Sequence, residues 1–347
     1  MTPLYALEDG TPVSTHSMLK CFRRCPRQAY YKFVLRLKPR LVGVPLKRGK
    51  WIHSLLEHHY SGRDWMDEHK RLASIYAEML DEEKDFYGDM PKDILRIMQS
   101  YFWHYEEDPW KVLDTEITLE CPFPDGTIYR CRLDVFVEDN YGLWIGDHKS
   151  HKTLPNLDFR LLDAQSALYL WAAAKNDIEV QGFIWNYLRT KAPTIPEVLK
   201  DGSRLSARKI ETDYPTLLRA IKRAELNPRD YKDALLALKA DRYRPGEPQT
   251  SPFFRRDHLE KSQDLIKRVV QENYRTSRRM HKYFSRERQD IERCTSRSCS
   301  FDCSYMDLCT IDLFGGNTTP VIKQKYKVGD PMSYYQDPED TEGIEEV

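Results

Sequence analysis

IYRCRLDVFVEDNYGLWIGDHKS, residues 128–150, reads as two apolar-rich strands joined by a polar turn. Ile128, Arg130 and Arg132 alternate with Tyr129, Cys131 and Leu133; Val135, Phe136 and Val137 follow, and Leu143, Trp144 and Ile145 fill the return strand. Asp-Asn-Tyr-Gly at 139–142 supplies the turn. On such a hairpin Asp134 and Asp147 fall side by side at one end of the sheet. Two carboxylates brought together repel unless they share a proton or a divalent cation. Lys149 lies two residues past Asp147 and so points to the same face of the strand. Asp, Asp and Lys on one edge describe a metal site with a cation beside it. A lone D-x-K is more often a solvated surface, so the rest of the chain has to decide.

Working outward, residues 112–121 (VLDTEITLEC) read as a strand carrying Glu116, with Pro124-Asp125-Gly126 as the turn into the hairpin. Residues 158–175 predict a helix with Gln165 and Tyr169 four apart on one face, and 179–188 predict another strand. The middle of the chain is therefore an α/β core of about 90 residues. Helices precede it: two short ones over 17–37, broken at Cys25-Pro26, one over 47–60, and more over 63–107, broken at Gly88–Pro91. His53 sits on the apolar face of 47–60, where a histidine is more often a core residue than a ligand. Residues 190–252 are polar and proline-rich, with short helices expected at 214–225 and 228–241. A long charged helix is expected over 255–292, and a partly disordered acidic tail from 315.

The composition is globular, with 40% hydrophobic and 31% charged residues, and no run approaches a membrane span. Residues 1–20 lack the apolar core of a signal peptide, so the expected compartment is a reducing cytoplasm. There, the eight cysteines are better read as including metal ligands than as disulfides. The net charge of zero hides its distribution: residues 1–50 hold eleven Lys/Arg against two acidic residues, residues 253–297 thirteen against seven, and residues 337–347 six acidic and no basic ones.

Four cysteines crowd into CTSRSCSFDCSYMDLC, residues 294–309. Cys299, Cys303 and Cys309 can converge on one soft metal centre, zinc or iron–sulfur. No second cysteine pair stands nearby, as a zinc knuckle would need. A distant fourth ligand suits a cubane cluster, with Cys25 the natural candidate and Cys21 and Cys294 the alternates. Cys121 and Cys131 read as buried core thiols.

Assembled in order, these pieces resemble the RecB-like branch of the PD-(D/E)XK nuclease superfamily, and most of all its iron–sulfur exonucleases from phages, CRISPR adaptation systems and the AddB nuclease domain. The matching residues are SMLKCFRRCP at 17–26, Gly49-x3-His53, TEITLE with Glu116, RLD at 132–134, GDHK at 146–149, QSALY at 165–169 and the C-terminal cysteines. The family spaces its last three cysteines C-x2-C-x5-C. Here the first gap is three, which leaves Cys294 and Cys299 as rival second ligands. The resemblance implies a restriction-endonuclease-like core, a mixed sheet flanked by helices, over 109–190. It implies a helical region before that core (1–108) and a helical cysteine-bearing region after it (191–314). It also implies that His53, Asp134, Asp147 and the backbone carbonyl of His148 bind Mg2+ or Mn2+. Lys149 would act on the attacking water, Gln165 and Tyr169 would orient DNA or water, and Glu116 would be a second-metal or outlying residue. The implied activity is exonucleolytic cleavage of DNA with free ends, with 5′ polarity and single-strand preference, in recombination, repair or CRISPR adaptation. A structural [4Fe–4S] cluster on Cys25, Cys299, Cys303 and Cys309 completes the expectation. The alternatives are Zn2+ in place of the cluster and a DNA-binding adaptor that does not cut.

Overall fold

The computed structural model describes residues 6–7, 9–108, 110–206, 208–284 and 290–333. A mixed sheet runs through the middle of the molecule. Its strands are β1 (Val13–Thr15), β3 (Lys111–Pro122), β4 (Ile128–Asp139), β5 (Gly142–His151), β6 (Gly182–Arg189) and β7 (Phe254–Leu259). β3 lies antiparallel along one edge of β4 over its whole length. The other edge is shared: β5 pairs antiparallel with Val135–Asp139, and β1 pairs parallel with Ile128–Arg130. Between these two partners β4 has an open gap, and Asp134 lies in it. Beyond Gly146, β5 leaves β4 and runs parallel to β6, which in turn pairs with β7.

Helices cover both faces. Period-two alternation sends Trp144, Ile184 and Leu188 towards α3 (Val44–Tyr60) and α6 (Met90–His104). Ile145, Phe183, Trp185 and Tyr187 face α8 (Ala164–Lys175), behind which packs α11 (Gln263–Phe284). Gly182 is required where β5, β6 and β7 meet, since a Cβ there would come within 2.5 Å of the Leu259 carbonyl oxygen. The mixed sheet between helical layers is the α/β architecture the sequence predicts.

Three expectations need correction. The charged helix expected over 255–292 begins only at Gln263, because Phe254–Leu259 is strand β7. Four charged or imidazole side chains in FRRDHL mask its period-two burial, in which Phe254 and Arg256 both point inward. The helix expected over 158–175 is broken: α7 (Leu157–Leu161) ends and Asp163 caps α8, its Oδ1 accepting the Gln165 N–H at 2.7 Å. The tail is ordered further than its composition suggests. Thr319–Lys325 form a helix, and Tyr326–Val328 (β8) pair with Leu37–Pro39 (β2). The acidic stretch 337–347 lies outside the described residues.

The N-terminal helices dock against the C-terminal ones. α1 (His16–Arg24) lies on α11, where Arg23 donates to Thr276, and the hydroxyls of Ser14 and Ser277 are 2.8 Å apart. After α2 (Pro26–Ala29) and a wider π turn (Tyr30–Val34), Tyr31 and Leu37 pack with Tyr305, Leu308, Val321 and Tyr326. Among the described residues no helix is long and apolar enough to cross a membrane.

Candidate nuclease site

The last β4–β5 ladder pair is Val135 with Gly146, and the next residues on each strand are Asp134 and Asp147. Each is 3% exposed. The Asp134 carboxylate takes over as the strands part: its Oδ2 accepts the backbone N–H of His148 at 2.7 Å. His53, from α3, places Nδ1 3.3 Å from the same oxygen. Gln165 Nε2 donates to Asp147 Oδ1 at 2.8 Å, and the Lys149 ammonium lies against Asp147 Oδ2. Lys149 also sits 5.5 Å from the Trp185 ring centroid, beside Arg160 at 4.4 Å.

The electrostatics follow from burial and crowding. Burial, and next Asp134, push the Asp147 carboxyl up to about 6. Burial would also raise Asp134, yet the His53 imidazole and its hydrogen bond hold it well below the usual range. His53 is the reciprocal case: burial lowers it, but Asp134 outweighs that and raises it. Glu116 stands at the margin, its Oε2 2.7 Å from Arg132 Nε and its backbone left-handed at φ +54. Burial and Asp134 push it up to about 8. Two buried carboxylates, a third carboxyl at the margin and an imidazole form an oxygen-rich donor set, which a hard divalent cation suits. As the side chains stand, no three His, Cys, Asp or Glu among the described residues converge to hold a metal ion. The carboxylates are instead occupied by His53, Lys149 and Gln165.

One predicted site side chain points elsewhere, and the ring of His148, whose backbone carbonyl is the predicted ligand, turns away from the site. Tyr169 packs in the core with its ring 6.0 Å from that of Phe183. The His148 imidazole turns to the α3/α6 side, stacked 5.4 Å from Tyr60, with Nδ1 accepting from Asn186 Nδ2 at 2.8 Å. Burial pushes it down to about 3, so the ring is neutral.

Behind His148 lies a network that sequence reasoning missed. Asn186 also donates to the Tyr101 hydroxyl, which is hydrogen-bonded to Tyr60 at 2.6 Å. Arg256, 1% exposed, donates to both hydroxyls and forms a two-pronged pair with Asp108 at 2.7 Å. Its guanidinium is sandwiched between Trp110 (3.4 Å) and Tyr105 (3.7 Å). One signal was available: Arg256 alternates with Phe254 in a strand. The partners just named, spread from 60 to 110, gave none. Arg256→Leu should lower stability by about 3 kcal/mol in urea titration, since it strands the Asp108 carboxylate.

A family model for the PD-(D/E)XK nuclease superfamily matches residues 14–310. The chain belongs to that superfamily. Its members generally use Mg2+ or Mn2+ and act on DNA, and the chain is a nuclease in that coarse sense. No curated protein matches the nuclease. Among solved structures it is similar to one from Eubacterium rectale described as "Putative exonuclease", at 15% identity, TM-score 0.38, covering 69% of this chain and 86% of that one. It is also similar to SSO0001 at 15% identity, TM-score 0.23, covering 64% and 77%. At those TM-scores neither likeness bears on function.

The cysteines of the nuclease fall into two groups. Cys121 and Cys131 are buried in the sheet core, and Cys21 is buried on α1. Cys25, Cys294, Cys299, Cys303 and Cys309 line one cavity of about 200 Å³ between α2 and the helices Cys299–Asp302 (α12) and Met306–Leu313 (α13). The Cys294 N–H donates to Cys25 Sγ at 3.5 Å, and the Ser296 N–H to Cys299 Sγ at 3.4 Å. Burial pushes the Cys303 thiol up, and the Cys299 and Cys25 sulfurs add to it.

Proposed function

We propose that this nuclease is a metal-dependent DNA exonuclease that works from free ends, with 5′ polarity and a preference for single strands. The observation that supports it best is the buried Asp134–Asp147 pair in the gap of β4, with His53 and Lys149 in contact. His53, Asp134, Asp147 and the His148 carbonyl would hold Mg2+ or Mn2+, which supplies Lewis acidity for phosphodiester hydrolysis. His53 and the His148 N–H orient Asp134, while Gln165 orients Asp147. Lys149 holds a water proton or the charge developing on the phosphoryl oxygens, at the place where an ammonium meets both strands. Glu116 adds a carboxyl at the margin, and Tyr169 supports α8 from the core. A non-cutting adaptor would gain nothing from burying two carboxylates at the cost of their repulsion.

The second part of the proposal is a structural [4Fe–4S] cluster on Cys25, Cys299, Cys303 and Cys309. Its support is the shared cavity and the N–H groups aimed at sulfur, which stabilise thiolates. A single zinc ion would draw four sulfurs to about 2.3 Å; the roomier cavity favours a multi-iron core. Cys299 is less exposed than Cys294 and is the preferred fourth ligand. The core over 109–190 would carry the chemistry, with the flanking helical regions 1–108 and 191–314 joined through the cluster. DNA recombination, repair or CRISPR adaptation in a prokaryotic or phage-infected cytoplasm are the settings that need such an enzyme.

End-labelled linear DNA and covalently closed circles, each with Mg2+, Mn2+ or EDTA, test the activity. The expected result is degradation of linear single strands from the 5′ end, abolished by EDTA. Efficient cutting of closed circles would make the protein an endonuclease instead.

A further inference from the structure

A second concave surface lies one residue beyond Lys149 along β5 and one turn before His53 along α3. β5 continues past Lys149 through Ser150 and His151, and the Thr190 N–H bonds to the His151 carbonyl, so the C-terminal ends of β5 and β6 form one floor. The first turns of α3 make the wall. Gly49, one turn before His53, lets that wall close in: a Cβ there would stand 3.1 Å from Ser150 Oγ. Arg48 donates to the Thr190 carbonyl at 2.8 Å. The resulting groove, about 760 Å³, is lined by Arg48, Arg96, Lys152, Arg189 and Lys191 against a single carboxylate, Asp93. It shares Lys191, Thr194 and Ile195 with an adjoining hollow of about 380 Å³ that adds Arg208 and Lys209 against Glu197 and Glu211.

Part of this charge is neutralised internally. Arg48 is 3.2 Å from Asp93, and Glu211 is shared by Arg189 and Lys191 at 3.0 and 3.1 Å. Lys152 has no ion-pair partner among the described residues, and the lining still carries seven cations against three carboxylates. No aromatic ring lines either part, so the surface offers no stacking platform for bases. A cationic trough without stacking groups suits the one repeating feature of a nucleic-acid strand, its phosphates.

We propose that this groove is the track of the single DNA strand that extends from the cleavage site, gripping its phosphates without regard to sequence. The proposal rests on the nuclease activity above and adds where the uncleaved strand runs. Charge along a strand that must slide one nucleotide per cut favours many weak phosphate contacts over a few specific ones.

The test pairs Lys152→Glu/Lys191→Glu, and Lys152→Gln/Lys191→Gln as a milder check on folding, with two substrates. One is a single-stranded oligonucleotide of about 20 nucleotides, long enough to fill the groove; the other is a dinucleotide, which is not. Expected are a KM at least about tenfold higher on the long substrate, unchanged kcat, and unchanged kinetics on the dinucleotide. The dependence of binding on salt should flatten, by roughly 0.7 in log–log slope for each phosphate that the variant no longer neutralises. Equal losses on both substrates, or no change on the long one, would overturn the track. Binding of the long strand in Ca2+, followed by fluorescence anisotropy, separates the two claims. A wild-type protein that binds but never cuts, with binding lost in the variants, sinks the exonuclease and upholds the groove.

Discussion

Asp134→Ala and Asp147→Ala should each lower cleavage by at least about 10²-fold, and Lys149→Ala by a similar factor. The two carboxylates follow the last ladder pair of β4 and β5, and through them both strands present oxygen donors to one point. On the proposed assignment, removing either would take away cation binding, while removing Lys149 would leave negative charge on the phosphoryl oxygens unopposed. The fold should survive. Asp147 faces Asp134 across the gap, so Asp147→Asn relieves a like-charge repulsion, and metal-free thermal unfolding should be no earlier than in the parent. Metal affinity should also fall as pH drops through about 6, because the carboxyl of Asp147 takes up a proton there and must shed it to hold a cation. Near-parental turnover in a folded Asp134 or Asp147 variant would remove the site assignment. His53→Ala should be milder, since the other three proposed ligands remain and the His148 N–H still orients Asp134.

Cys25→Ala, Cys303→Ala and Cys309→Ala should each bleach anaerobically purified protein, which is expected to be brown with about four irons per chain. Cys121→Ala and Cys131→Ala should stay brown, their thiols being buried in the sheet core. Chain entropy alone suggests a large effect on stability. The Cys25–Cys294 contact already spans 269 residues, and a cross-link closing so long a loop is worth on the order of 5–6 kcal/mol. The observed packing reduces that figure. β2 pairs with β8, α1 lies on α11, Tyr305 donates to the Leu37 carbonyl at 2.6 Å, and Arg27 and Arg293 both pair with Asp312. These contacts hold the two ends together without a cluster. Urea titration of the cysteine variants should therefore show a loss well short of the chain-entropy limit, concentrated in the helices around the cavity. Stoichiometric zinc and no iron after anaerobic reconstitution would remove the cluster and leave the nuclease standing.

The central hairpin was legible because its information is local. Alternation over 128–137, a turn at 139–142 and a two-residue step from Asp147 to Lys149 all act within a few residues, and the ladder reproduces them. The superfamily was equally legible as an ordered series of short motifs, and the family model spans nearly the same stretch without reaching down to the iron–sulfur branch. Ligand identity within the cysteine group and the order of the tail were less so. Composition alone cannot say that Tyr326–Val328 finds a partner strand at Leu37–Pro39.

What tertiary structure alone decided is how the pieces are held. Only the folded sheet shows that β1 and β5 divide one edge of β4, leaving Asp134 in the gap, because β1 comes from more than 100 residues away in sequence. Only it shows Arg256 as a buried cation tied through Tyr101 and Asn186 to His148, and the basic floor formed jointly by β5 and β6. The residue types set by sequence say what chemistry is available: carboxylates, an ammonium, thiols. Which of them face one another is set by long-range pairing and burial, and these have no local signature.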